Sequence, residues 1–123
     1  MKRCDWFEAA GAILAPTLEG YPLEELARDV HNGSLELWKF EDGTLCVLER
    51  QRDTLYVWAI AGESLRTWAH SIVLEAFSRG CSYIGFRTGR RGLARLLGEF
   101  KPVRTGDIGD THSEYRIAVG VAA

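Results

Sequence analysis

Cysteine is scarce in this chain. Cys4, Cys46 and Cys81 are the whole complement, an odd number and widely spaced. No CxxC pair occurs, which argues against a zinc knuckle or a thioredoxin-like redox pair, and no metal site is expected. Cys46 and Cys81 lie in apolar segments and read as small buried residues. Long hydrophobic runs are missing as well. None approaches the roughly 18–20 residues that span a bilayer, so no membrane contact is expected. Met1-Lys2-Arg3 is followed at once by Cys4-Asp5-Trp6-Phe7-Glu8. Charge therefore interrupts any signal-peptide core, and a cytoplasmic protein is expected. There is no GxGxxG or P-loop pattern, no internal repeat and no low-complexity tract.

What is present is ordinary for a soluble globular domain: 123 residues, 46% hydrophobic and 26% charged. That composition excludes a disordered chain, and the length predicts a single domain over residues 1–123. The net charge of −2 hides an uneven distribution. Residues 1–63 carry twelve acids against six bases, and residues 64–123 carry five acids against nine bases. The window 79–104 holds Arg79, Arg87, Arg90, Arg91, Arg95, Lys101 and Arg104 against Glu99 alone. Such a field attracts phosphate or an acidic partner, or simply makes a solvated face.

The periodicity predicts a mixed α+β protein. A helix is expected over 5–15, capped by Asp5, ended by Pro16, and lined by Phe7, Ala10, Ile13 and Leu14. A second is expected from Pro22 to His31, with Leu23, Leu26, Ala27 and Val30 as its stripe and Asn32-Gly33 as its stop. Three strands follow as an antiparallel meander: Leu35–Glu41, Thr44–Arg50 and Thr54–Ala61. Asp42-Gly43 supplies the first hairpin turn. The third strand is apolar on both faces and reads as central. After Gly62-Glu63-Ser64, the residues Leu65, Trp68, Ala69, Ile72, Val73, Ala76 and Phe77 recur at helical spacing until Arg79-Gly80. A strand over 81–87, a helix over 90–97 and strands over 100–105 and 114–121 complete the order. The polar stretch 106–113 reads as a loop.

That order, with Ile84-Gly85-Phe86-Arg87-Thr88-Gly89-Arg90-Arg91-Gly92-Leu93-Ala94-Arg95-Leu96-Leu97-Gly98-Glu99-Phe100 as its best local match, resembles the GNAT N-acetyltransferase fold without its first strand. The resemblance covers roughly residues 20–121. The segment Gly-Arg-Arg-Gly-Leu-Ala-Arg-Leu-Leu is also similar to small GNAT-like proteins of tailed phages and prophages, some of which belong to the virion or its assembly. The resemblance implies acetyl-CoA as cofactor. Its diphosphate would sit on the turn after the third strand of the meander, where free amides and the helix dipole hold an anion. The residues so implied are Ile60, Ala61, Gly62, Ser64, Leu65 and Arg66, with Arg90 and Arg91 near the 3′-phosphate.

Two departures stand against that implication. One glycine remains where the family has a glycine-rich loop, and Glu63 brings a negative charge to the diphosphate position. Glu63 also reads as a favourable helix N-terminal charge. The resemblance further places Leu96 where family members often have a tyrosine acid, and leucine donates no proton. Tyr83 and Tyr115 are the substitutes at hand. Glu49 and Glu63 are the candidate general bases, with a solvated surface acid as the plain alternative. His31, His70 and His112 form no triad with any serine. Trp38, Trp58 and Trp68 read as core, while Trp6 and Phe7 can offer an apolar contact. No nucleic acid is expected, given the net acidity.

Two functions follow. The first is a GNAT-like protein of phage type, catalytically degenerate, acting by contact with other phage or host proteins, in the cytoplasm or the virion. The second is an active acetyl-CoA-dependent N-acetyltransferase acting on an amine.

Overall fold

The N-terminal helix starts later than its sequence suggests. In the computed structural model, which describes residues 1–18, 21–62, 65–88, 97–108 and 112–119, α1 spans Glu8–Leu14. Phe7, in extended conformation, is its N-cap, so Asp5 does not cap it. Glu8 in the first turn suits the positive end of the helix. Pro16 lies in the following 3-10 turn Ala15–Thr17, where its missing N–H ends the α ladder. The Thr17 hydroxyl donates to the Leu14 carbonyl at 2.7 Å. The buried face is Ala10, Gly11 and Leu14, and Ile13 points to solvent. With only seven residues, α1 has a narrow inward stripe, and Ile13 falls outside it.

Helix α2 spans Leu23–Asn32, with Pro22 as N-cap and Glu24 and Glu25 in its first turn. It ends on Gly33 at φ 88°, a left-handed position that glycine alone adopts cheaply. Leu26 and Val30 are buried, whereas Leu23 is exposed.

Seven strands form one mixed sheet in the order β1-β2-β3-β4-β5-β7-β6. They are β1 Lys2–Cys4, β2 Glu36–Lys39, β3 Leu45–Gln51, β4 Thr54–Ala61, β5 Tyr83–Thr88, β6 Val103–Ile108 and β7 His112–Ala118. The α+β class is as expected, with one correction. A first strand is present: β1 pairs antiparallel with β2 through Lys2↔Lys39, Arg3↔Trp38 and Cys4↔Leu37. Three residues carry too little periodicity to be seen as a strand without their partner.

The chain divides into two compact units, residues 1–49 with 57–64 and residues 50–56 with 65–123. In the first, β2 and β3 form the Asp42-Gly43 hairpin. Phe40 N–H donates to the Thr44 carbonyl at 2.9 Å, and Gly43 takes φ 89°. Its core gathers Ala10, Leu14, Leu26, Val30, Leu35, Leu37, Leu45, Val47 and Ala59. Burying the five leucines among them stabilises by about 1.5–3 kcal/mol each.

In the second unit, helix α3 spans Leu65–Ser78 and buries Trp68, Ala69, Ile72 and Ala76. Phe77 does not join this stripe; it is 62% exposed, beside Leu74 at 69%. The helix closes in a Schellman turn. Cys81 N–H reaches the Ala76 carbonyl, Gly80 N–H reaches Phe77, and Gly80 sits at φ 73°. β7 pairs antiparallel with both β5 and β6. The β6–β7 pairing runs out to Ile108↔His112, so most of the stretch expected as a loop is strand. The helix expected over 90–97 lies outside the described residues up to 96, and a 3-10 turn Gly98–Phe100 follows.

Candidate functional site

The turn that leaves β4 is the first feature of interest. Ile60 and Ala61 are half-buried at the end of the strand, and Gly62 is exposed. An added Cβ at Gly62 would lie 2.0 Å from Thr44 Oγ1 and 2.6 Å from Thr44 Cβ and Cγ2. Gly62 is therefore required by close packing in this unit, whatever the turn binds. Thr44 is the buried polar residue of the described core, 4% exposed. Helix α3 then begins at Leu65 and carries no acidic residue in its first turn. Leu65, Arg66 and Thr67 are the first residues of this 14-residue helix. Glu63, Ser64, Arg90 and Arg91 lie outside the described residues.

A second feature lies within the first unit. β4 alternates, with Leu55, Val57 and Ala59 buried and Tyr56, Trp58 and Ile60 half-buried. Trp58 meets Tyr21 edge to face, ring centroids 5.2 Å apart at 70°. The Trp58 Nε1–H is enclosed and makes no hydrogen bond. An indole N–H left so costs about 1–3 kcal/mol. The Tyr21 hydroxyl donates to Asp29 Oδ2 at 3.3 Å. Burial first, and then the Asp29 charge, push that hydroxyl above the ordinary tyrosine value. Glu49, the candidate base on β3, is half-buried.

No family model matches the sequence, and no curated protein matches it. Solved structures do. The chain is similar to the ribosomal-protein-S18-alanine N-acetyltransferase from Escherichia coli, with TM-score 0.67 at 11% identity over 99% of this chain and 96% of that one. It is similar to a Bacillus subtilis acetyltransferase in complex with CoA, with TM-score 0.56 at 14% identity over 96% and 97%. A GNAT-family acetyltransferase from Listeria monocytogenes gives 0.58 at 10% over 92% and 77%. The fold is that of the GNAT acetyltransferases.

Against the GNAT expectation, the tyrosine substitutes are already engaged within the second unit. The Arg116 guanidinium sits 4.4 Å over the Tyr83 ring. Tyr115 stacks on Phe86 at 5.5 Å and 16°. The basic window is also less open than its count suggests. Arg79 Nε donates to Glu75 Oε1 at 2.9 Å, and Arg104 pairs with Asp107. Hydrogen bonding from Arg104 holds the Asp107 carboxyl below the usual carboxylate range. Among the described residues no three His, Cys, Asp or Glu side chains gather as metal ligands would. None of the described helices is long and apolar enough to cross a membrane. The periodicity reads Thr44 only as the start of a strand and Trp58 as core, and gives Tyr21 and Asp29 no role. Tyr21 does stand just before Pro22 at a helix entrance, where an exposed aromatic is a weak signal. Nothing local marks Thr44.

Proposed function

We propose that the chain is an acyl-CoA-dependent N-acyltransferase, with acetyl-CoA as the donor. The observation that carries this is the passage from β4 through Gly62 into α3. A 14-residue helix starts there with no acidic residue in its first turn. A diphosphate fits that donor set: open amides, the positive end of the helix dipole and the Arg66 position. Leu65, Arg66 and Thr67 would supply the amides, and Arg90 or Arg91 the contact to the 3′-phosphate. When bound, the coenzyme supplies an activated thioester acyl group. Glu49 is the residue suited to take the proton of the attacking amine. The neighbouring folds named as acetyltransferases support the same reading.

The test is calorimetric titration of the full chain with acetyl-CoA, followed by thioester consumption with a panel of amines. Binding in the micromolar range is expected. Arg66→Glu should weaken it by about tenfold or more, ~1.4 kcal/mol. No heat of binding would sink the proposal.

A second reading, a catalytically degenerate contact protein of phage type, is favoured by Leu96 at the tyrosine position and by the single glycine of the turn. It expects no acetyl-CoA binding and capture of an acidic protein partner.

A further inference from the structure

The sheet ends on β6, whose outer edge pairs with no strand among the described residues. Val103, Arg104, Thr105, Gly106 and Asp107 are all exposed. Such an edge is a row of unpaired N–H and C=O groups, a template for another strand, and proteins commonly guard it with charge. The opposite edge strand, β1, is guarded in that way, since Lys2 and Arg3 are exposed cations. Two copies of β1 laid antiparallel about Arg3 would set like charges opposite, which destabilises. β6 differs. It reads Val103-Arg104-Thr105-Gly106-Asp107-Ile108. Laid antiparallel on itself about the point between Thr105 and Gly106, it sets Arg104 of each copy opposite Asp107 of the other. Val103 then falls opposite Ile108. The register shift between Arg104 and Gly106 brings the two charges to one face. Arg104 lies opposite Tyr115 and Asp107 opposite Ser113, two positions apart on β7, so both side chains stand on the same side of the sheet. Their ion pair within one copy agrees with this. Ser113 Oγ donates to Asp107 Oδ1 at 3.2 Å and steadies that carboxylate. A bulge ordinarily turns an edge away from a partner. About this two-fold the two irregular positions meet at the axis, and the Arg–Asp pairs flank them.

We propose that the β6 edge is an interface for a second copy of this chain, closed by a quartet of Arg104 and Asp107 from each copy. The same edge serves on both sides, so the pairing closes as a dimer and does not run on as a filament. A six-residue strand edge buries far less than the roughly 800 Å² per partner of a standard interface, so the dimer is weak, forming on the order of 100 μM. The quartet is exposed, so salt weakens it further. The proposal is independent of the acyltransferase reading.

The test is sedimentation velocity of the full chain at low salt, from about 10 μM to about 1 mM. The sedimentation coefficient should rise from monomer toward dimer over that range. Arg104→Asp gives each edge two carboxylates, and Asp107→Arg gives each edge two guanidinium groups. Either variant alone should associate about tenfold more weakly, or worse. An equimolar mixture of the two variants restores opposite charges at both contacts and should dimerise within about threefold of the parent. Backbone amide signals of residues 103–108 should shift with concentration in the parent, while those of α3 stay in place. A parent that remains monomeric throughout overturns the proposal. So does a dimer that either single variant leaves intact, or a mixture no stronger than its components. Both side chains are more than half exposed, 58% and 59%, so the variants should fold. Should either fail to fold, the parent's amide shifts decide: shifts at 103–108 support the edge, and shifts centred on another surface refute it.

Discussion

Replacing Gly62 by alanine tests the packing of the β4 turn directly. The new methyl would lie 2.0 Å from Thr44 Oγ1 and 2.6 Å from both Thr44 Cβ and Cγ2. Thr44 has little room to yield. Its N–H donates to Asp42 Oδ1 at 2.9 Å, and its carbonyl accepts from Phe40 N–H at 2.9 Å. Rotating the side chain alone does not relieve the Cβ contact, so backbone must move. Overpacking of this kind costs about 1–3 kcal/mol. For a domain of this size each kcal/mol lowers Tm by roughly 3–6 °C, so Gly62→Ala should melt about 3–18 °C lower. Differential scanning calorimetry without any ligand reads this. The partner variant Thr44→Gly removes all three clashing atoms. In the double variant the cost of Gly62→Ala should largely vanish, a coupling of about 1–3 kcal/mol. A Gly62→Ala protein melting within about 2 °C of the parent refutes the argument, as do two effects that simply add. The double variant also separates packing from ligand binding, because it has an alanine in the turn without the clash.

Other expectations are simpler. Leu14→Ala, at a fully buried position of the first core, should destabilise by about 2–5 kcal/mol in urea unfolding. Gly33→Ala, at φ 88°, should cost about 1 kcal/mol, and Gly33→Asn less. Thiol titration of the native protein at mildly alkaline pH should leave Cys46 unreacted, because burial pushes its pKa up to about 12; all three cysteines should react after unfolding. Tyr21 should lose its proton above the ordinary tyrosine value in an alkaline absorbance titration compared with Tyr21→Phe. Its pKa is raised in the folded state, so its contribution is fully present below the ordinary tyrosine value and is lost as pH rises through the raised one.

How much of this was legible depended on the range of each cause. The Asp42-Gly43 hairpin, the Gly33 cap and the Gly80 cap were readable because turn chemistry is local. Gly43, Gly33 and Gly80 all take the positive φ their positions implied. Helix faces were only partly readable. Ile13 and Phe77 fit an apolar period yet point to solvent, because which side of a stripe is covered depends on distant elements. β1 was invisible because three residues show no period, and only the pairing Arg3↔Trp38 makes them a strand. Gly62 was noticed as the last glycine of a possible phosphate loop, whereas its close approach to Thr44 is a tertiary fact. The Trp58 donor was beyond reach for the same reason. A tryptophan in a strand reads as core, and only the structure shows that its N–H has no acceptor.

The charge asymmetry bears on the choice between the two functions. The window 79–104 looks strongly basic when its residues are summed. Within the described part, Arg79 spends its charge on Glu75 and Arg104 on Asp107. Such pairs add little to stability where they are exposed, but they lower the field that a long-range partner feels. Arg87 and Lys101 are the exposed cations left in that part. A contact surface for an acidic protein needs a broad field, and pairing narrows this one. A diphosphate needs only a few donors at close range, which is what the proposed site at the start of α3 calls for. Among the described residues the pairing of Arg79 and Arg104 therefore supports the proposed coenzyme reading over the acidic partner. The salt dependence of acetyl-CoA binding checks the reasoning. A site built mainly on amides should weaken only modestly between low and physiological salt, whereas a site built on the Arg cluster should weaken steeply.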